Sequence, residues 1–191
     1  RNRAPSSQQS AQQPAAQAIL PSDSIVGGFK IISLIGVGGM GAVYLVEHMS
    51  LHRQLALKIL TPELVNEQNW QRFKAEAKIL ASLSHPTLVK VYDLGIHAQT
   101  IPFYSMDYLE GRSIEEILAD DGPIDLETTI DIMLEVLDGL AYAHRNGIVH
   151  RDLKPGNIMY CTIDGAKAVK VLDFGISKLI DNRGTSQAMT V

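Results

Sequence analysis

The sequence has 191 residues, 46% of them hydrophobic and 20% charged, which is enough apolar material at this length to bury a core. A formal net charge of -4, with 17 Lys and Arg that form no long run, leaves no electrostatic footprint for nucleic acid and argues against a nucleic-acid partner. The single cysteine, Cys161, rules out an internal disulfide, and no apolar stretch approaches the roughly 18 residues of a membrane span, so a cytoplasmic chain with no membrane segment is expected. The sequence begins with Arg1, so a longer parent with a membrane anchor elsewhere stays open.

From Arg1 to about Ser24 the residues are Gln, Ala, Ser and Pro with almost no large apolar side chain, so a disordered leader is expected over residues 1–27. Order is expected from Gly28. Phe29 to Ile35 and Ala42 to Glu47 are rich in β-branched, aromatic and aliphatic residues and flank Gly36-Val37-Gly38-Gly39-Met40-Gly41, predicting strand, glycine loop, strand. Leu55 to Leu60 predicts a third strand, closed by Pro62. From Asn69 to Leu83 the apolar residues Phe73, Ala77, Leu80 and Leu83 fall on one helical face, until His85-Pro86 breaks the pattern. Strands are expected next over Leu88 to Leu94 and Pro102 to Leu109. Beyond Gly111, Ser113 is placed to cap a short helix and Asp125 a long one, which carries Ile130, Met133, Leu134, Leu137, Leu140 and Ala141 inward and ends at Gly147. The expected class is α+β: a small antiparallel sheet with one helix, then a mainly helical part.

Glycines at 36, 38 and 41 let backbone amides approach a phosphate without interference from Cβ. The same spacing marks dinucleotide-binding folds, but there a helix follows the loop, and Ala42-Val43-Tyr44-Leu45-Val46 is a strand pattern; a phosphate-covering hairpin fits better. Taken alone, the run fits an ordinary glycine-rich turn equally well. Lys58 lies among apolar neighbours in a strand, where an ammonium needs an anion unless its stem carries it to water. Glu76, between Phe73 and Leu80 on the helix, borders the buried face and can point at the sheet; the competing reading pairs it with Arg72 or Lys78 at the surface.

The most specific stretch is His150-Arg151-Asp152-Leu153-Lys154-Pro155-Gly156-Asn157, followed after a hairpin-like interval by Asp173-Phe174-Gly175. Phosphoryl transfer requires a carboxylate to orient the attacking hydroxyl and accept its proton, and oxygen ligands for Mg2+ on the phosphates. Asp152 suits the first task, and Asn157 and Asp173 the second. Each residue singly also suits a turn, but turns do not explain the ordered set.

This set, from the glycine run through Lys58 and Glu76 to Asp173, resembles the protein kinase family in order and content over residues 28–191. The resemblance implies an N-lobe over about 28–107 and a partial, mainly helical C-lobe over about 111–191, ending in the activation segment. It implies ATP and Mg2+ as cofactors, with Asp152, Lys154, Lys58 and Glu76 catalytic and Asn157 and Asp173 on the metal. The ATP site would draw on Ile35, Gly36, Val37, Gly38, Gly39, Met40, Gly41, Ala42, Val43, Ala56 and Lys58. Met106 would stand as gatekeeper, Asp107 to Leu109 as hinge, and Met159 would close the adenine sandwich. Leu80, His150 and Phe174 resemble members of an apolar spine.

Lys154 after the catalytic aspartate resembles the Ser/Thr-specific choice, implying protein substrates with Ser or Thr acceptors, and the Gly-Gly-Met-Gly and Lys-Pro-Gly-Asn wording is similar to bacterial eukaryotic-like kinases. Arg151 resembles kinases switched on by activation-segment phosphorylation, by themselves or in trans, with Thr185, Ser186 and Thr190 as candidate sites. The substrate-docking loop and Ala-Pro-Glu element of the family do not follow within the sequence, so this chain is expected to be a fragment that binds Mg-ATP weakly and transfers little phosphate. The alternatives are a pseudokinase-like nucleotide-binding or scaffold module, or an inert remnant.

Overall fold

The computed structural model describes residues 20–39, 41–163 and 165–174. Its first sheet is antiparallel throughout. The strands are β1 (Ile25–Val26), β2 (Phe29–Gly38), β3 (Gly41–His48), β4 (Arg53–Ile59), β5 (Val91–His97) and β6 (Ile101–Met106), in the order β1-β2-β3-β4-β6-β5. Period-two alternation divides its side chains. Ala42, Tyr44 and Val46 of β3 join Leu55, Leu57 and Ile59 of β4 in one core, while Ala56 of β4 and Tyr104 and Met106 of β6 face the other. Helix α1 (Glu67–Ser82) covers that second face with Phe73, Ala77 and Leu80. It begins where Asn66 accepts from the Asn69 amide at 2.8 Å, satisfying one of the orphan donors of its first turn.

Order reaches further toward the N-terminus than the expected start at Gly28. Val26 is buried, β1 pairs with β2, and the Asp23 amide donates to the Ile31 carbonyl at 2.9 Å. Leu20 packs on the same core and its amide donates to the Tyr44 hydroxyl at 3.1 Å. A two-residue strand is too short to show a period, and the reversal that creates it depends on Gly27 and Gly28, at φ +57 and +88. The strand expected from Leu88 likewise begins later. Leu88 forms a single parallel bridge to Val171, and the Val171 amide donates to the Thr87 carbonyl at 2.7 Å, so these residues join the two lobes instead of extending β5.

The second lobe comprises β7 (Gly111–Ser113), α2 (Ile114–Asp120), α3 (Leu126–Arg145), β8 (Ile158–Ile163) and β9 (Ala166–Val171), with a sheet order β7-β8-β9. Both expected caps form. Ser113 and Glu116 make a reciprocal capping box on α2, and Asp125 accepts from the Thr128 amide at 2.9 Å on α3. Gly147, at φ +74, donates to the His144 carbonyl while Ile148 donates to that of Ala143, the Schellman pattern that ends a helix.

The inward face of α3 differs from the expected one. Ile132, Val136, Gly139 and Ala143 are buried, whereas Ile130, Met133, Leu134, Leu137 and Ala141 are exposed and Leu140 is half-buried. Apolar residues occupy two stripes of this helix, and periodicity alone does not select between them. Close approach does: a Cβ on Gly139 would lie 3.2 Å from the Thr87 side chain, so the glycine stripe seats α3 against the segment that bridges the lobes.

Candidate active site

The sheet presents a cleft of about 120 Å³ lined by Ile35, Val43, Ala56, Met106, Asp107, Leu109 and Met159, residues that the kinase resemblance implies for the ATP site. Tyr108, within the expected hinge, also lines it, as do Val89 and Leu172, which had escaped the sequence reading. Leu172 immediately precedes Asp173, and that adjacency is the signal that could have found it. Ala42 is brought elsewhere: strand alternation turns its side chain into the opposite core. Gly36 and Gly38 belong to β2 and face Val43 and Gly41 across the hairpin; a Cβ on Gly36, Gly38 or Gly39 would meet nothing within 4 Å. Val37 is exposed beside them. Gly41 is bound by sterics instead, since at φ +140 a Cβ there would overlap the Ile59 carbonyl. Met40, Gly175, Thr185, Ser186 and Thr190 lie outside the described residues.

Behind the cleft the buried Lys58 donates to Glu76 Oε1 at 2.6 Å and to Asp173 Oδ1 at 3.0 Å. Glu76 therefore points at the sheet, and its burial at 4% exposure excludes the surface pairing with Arg72 or Lys78. Burial by itself would lower the Lys58 pKa, but the oxygens of Tyr104, Glu76 and Asp173 around it outweigh that cost and hold it well above the ordinary lysine value. The ammonium is thus fixed in its charged form. The hydroxyl of Tyr104, which the sequence reading missed, donates to the same Glu76 oxygen at 2.6 Å.

The turn from His150 to Asn157 is tied to the segment carrying Asp173. The Leu172 amide donates to the Asn157 carbonyl at 2.9 Å, and His150 Nε2 meets the Leu172 carbonyl at 2.8 Å. His150 Nδ1 accepts from the Asp152 amide at 3.3 Å, so the two bonds together assign the proton to Nε2. Burial lowers the His150 pKa, keeping the ring neutral as it packs on Phe174 at 4.6 Å between centroids. Leu80 and Phe174 share one buried cluster. Asn157 Nδ2 donates to the Asp152 carbonyl at 2.8 Å and lies 3.4 Å from Asp152 Oδ2, while Lys154 Nζ lies 3.7 Å from that oxygen. Arg151 and Asp173 bracket the site at φ +66 and +40, a conformation unusual outside glycine and asparagine.

This donor set fits Mg2+ held on phosphates. Among the described residues no group of three or more His, Cys, Asp or Glu side chains gathers into an all-protein metal cage. Mg2+ binds through one or two carboxylates plus phosphate oxygens and waters, which matches the hard oxygens of Asn157 and Asp173 beside a fixed ammonium. Among the described residues no helix is long and apolar enough to cross a membrane.

Comparison with known proteins agrees with this geometry. Residues 29–191 match the family model described as protein kinase domain. The chain is 38% identical over 168 residues to the serine/threonine-protein kinase PknB of Mycobacterium leprae and 40% identical over 159 residues to PrkC of Bacillus subtilis, alignments covering 85% and 83% of this chain. It spans about a quarter of the length of these relatives, 26% and 24%. The crystal structure of the Mycobacterium tuberculosis PknI kinase domain superimposes with a TM-score of 0.70 at 31% identity, over 82% of this chain and 63% of that one. Family model, relatives and fold neighbour meet on one assignment: the chain belongs to the protein kinase family, and the relatives it matches are bacterial serine/threonine-protein kinases.

Proposed function

We propose that the site serves ATP-dependent phosphoryl transfer to Ser or Thr hydroxyls of protein substrates. The observation that carries the reading is the convergence of Lys58 on both Glu76 and Asp173, with Asp152, Lys154 and Asn157 on the adjoining turn. In this reading Val43, Ala56 and Met159 hold the adenine, and the backbone of Asp107 to Leu109 reads its edge. The amides of the glycine hairpin and the Lys58 ammonium bind the phosphates. Asn157 and Asp173 hold Mg2+, which when bound neutralises phosphate charge. Asp152 orients the acceptor hydroxyl and takes its proton, and Lys154 steadies the transferring phosphate. Arg151 receives an activation-segment phosphate placed by the chain itself or by a second copy. Reliance on ATP and the single cysteine support a cytoplasmic location for this domain.

The reading is tested by titrating Mg-ATP and by following labelled phosphate from ATP onto casein. Lys58→Met should remove Mg-ATP binding, whereas Asp152→Asn should leave binding intact and cut transfer by about a thousandfold or more. Transfer that survives Asp152→Asn would sink the assignment.

A further inference from the structure

We propose that Tyr104 is a positioning residue for the phosphate-side ion pair, its hydroxyl anchoring Glu76 so that Lys58 stays aligned while it engages an anion; this rests on the kinase reading above. Tyr104 lies directly opposite Lys58 in the pairing of β6 with β4, so both side chains leave the sheet on the face that α1 covers. Its ring is fully buried, 4.9 Å from that of Phe73 on α1, and its hydroxyl donates to Glu76 Oε1 at 2.6 Å. The same oxygen accepts from Lys58 Nζ, also at 2.6 Å. Burial pushes the phenol well above its ordinary pKa, which keeps the hydroxyl a donor.

Glu76 thus has two donors, one charged and one neutral. A phosphate competes with Glu76 for Lys58 but exerts no comparable pull on a neutral phenol, so the carboxylate keeps a partner as Lys58 turns toward its ligand. Without the hydroxyl, a carboxylate at 4% exposure would rest on Lys58 alone, and a buried charge with a single shared partner tends to leave for water. Glu76 sits on α1, so its departure would carry the helix away from the cleft and misalign Lys58. The Tyr104 ring also lies 5.7 Å from Lys58 Nζ, a cation–π contact that phenylalanine retains. Tyr104→Phe therefore removes one oxygen and spares the packing.

The test is titration calorimetry on the 1–191 chain with Mg-ATP and, separately, with adenosine, which fills the cleft but carries no phosphate for Lys58. Tyr104→Phe is expected to weaken Mg-ATP by about tenfold, the weight of one hydrogen bond to a charged group, and adenosine by less than about twofold. In a Glu76→Ala background it should add no further loss, since the two residues act through one bond. Equal weakening of both ligands would assign Tyr104 to packing and overturn the proposal. So would an unchanged Mg-ATP affinity in Tyr104→Phe where Lys58→Met still removes binding. Mg-ATP binding indifferent to Lys58→Met would overturn the kinase reading itself, and this proposal with it. Should Glu76→Ala not fold, the split between Mg-ATP and adenosine decides alone.

Discussion

Glycines of one motif meet different constraints at the residue scale. Gly41 faces the Ile59 carbonyl at φ +140, whereas Gly36 and Gly38 face open space. Gly41→Ala should therefore lower the melting temperature, the backbone strain alone costing about 1–3 kcal/mol. Gly36→Ala should leave the melting temperature nearly unchanged and weaken Mg-ATP; thermal melts with and without nucleotide separate the two. His150 gives a pH prediction. Its pKa is lowered in the fold by burial, so the unfolded chain binds the proton first as pH falls below the ordinary value of 6.5. The stability tied to its neutral ring is fully present above that value and is lost as pH falls toward the folded pKa. His150→Phe should be less stable near pH 7.5, having lost the bond to Leu172, but flatter in melting temperature between about pH 7.5 and pH 5.5. Equal slopes in both proteins would remove His150 as the cause.

Caps at the scale of elements were legible because they are local. Ser113, Asp125 and Gly147 each satisfy a helix end through residues within a few positions, so type and spacing suffice. Ser113→Ala should cost about 1 kcal/mol, read from a denaturant titration, as the α2 box loses its side-chain acceptor. The carboxylate of Glu116 is held below its ordinary pKa first by the Ser113 amide and then by the Ser113 hydroxyl. Its contribution is present above the ordinary 4.5 and is lost as pH falls through the lower folded value, so Glu116→Gln should narrow the gap in melting temperature between about pH 6 and pH 4. The face of α3 was not legible. Both of its apolar stripes satisfy the helical period, and the choice between them was made by Gly139 against Thr87 and Leu88, residues far away in the sequence.

For the whole molecule, the outer stripe of α3 matters most. Leu126, Leu134 and Leu137 are 76%, 61% and 55% exposed, with Ile130 and Met133 beside them, a contiguous apolar surface of the kind that drives association. The purified 1–191 chain should bind a hydrophobic dye and self-associate with concentration, and Leu134→Glu with Leu137→Lys should suppress both without lowering the melting temperature. Sedimentation showing the unaltered chain monomeric at high concentration would refute this.

What the sequence determined by itself was the ordered set of motif residues and its local frame: the glycine hairpin, Lys58, Asp152, Asn157 and Asp173 in order, the caps, and the α+β class. These depend on residue type and short spacing, which a linear chain displays directly. Tertiary structure alone decided that Lys58 meets Asp173 as well as Glu76, that Tyr104 shares Glu76 with it, that Ala42 turns away from the cleft, and which side of α3 faces inward. Each of these is a choice between two locally equivalent orientations, settled by partners 18 to 28 residues away for Glu76 and by the packing of whole elements for the rest.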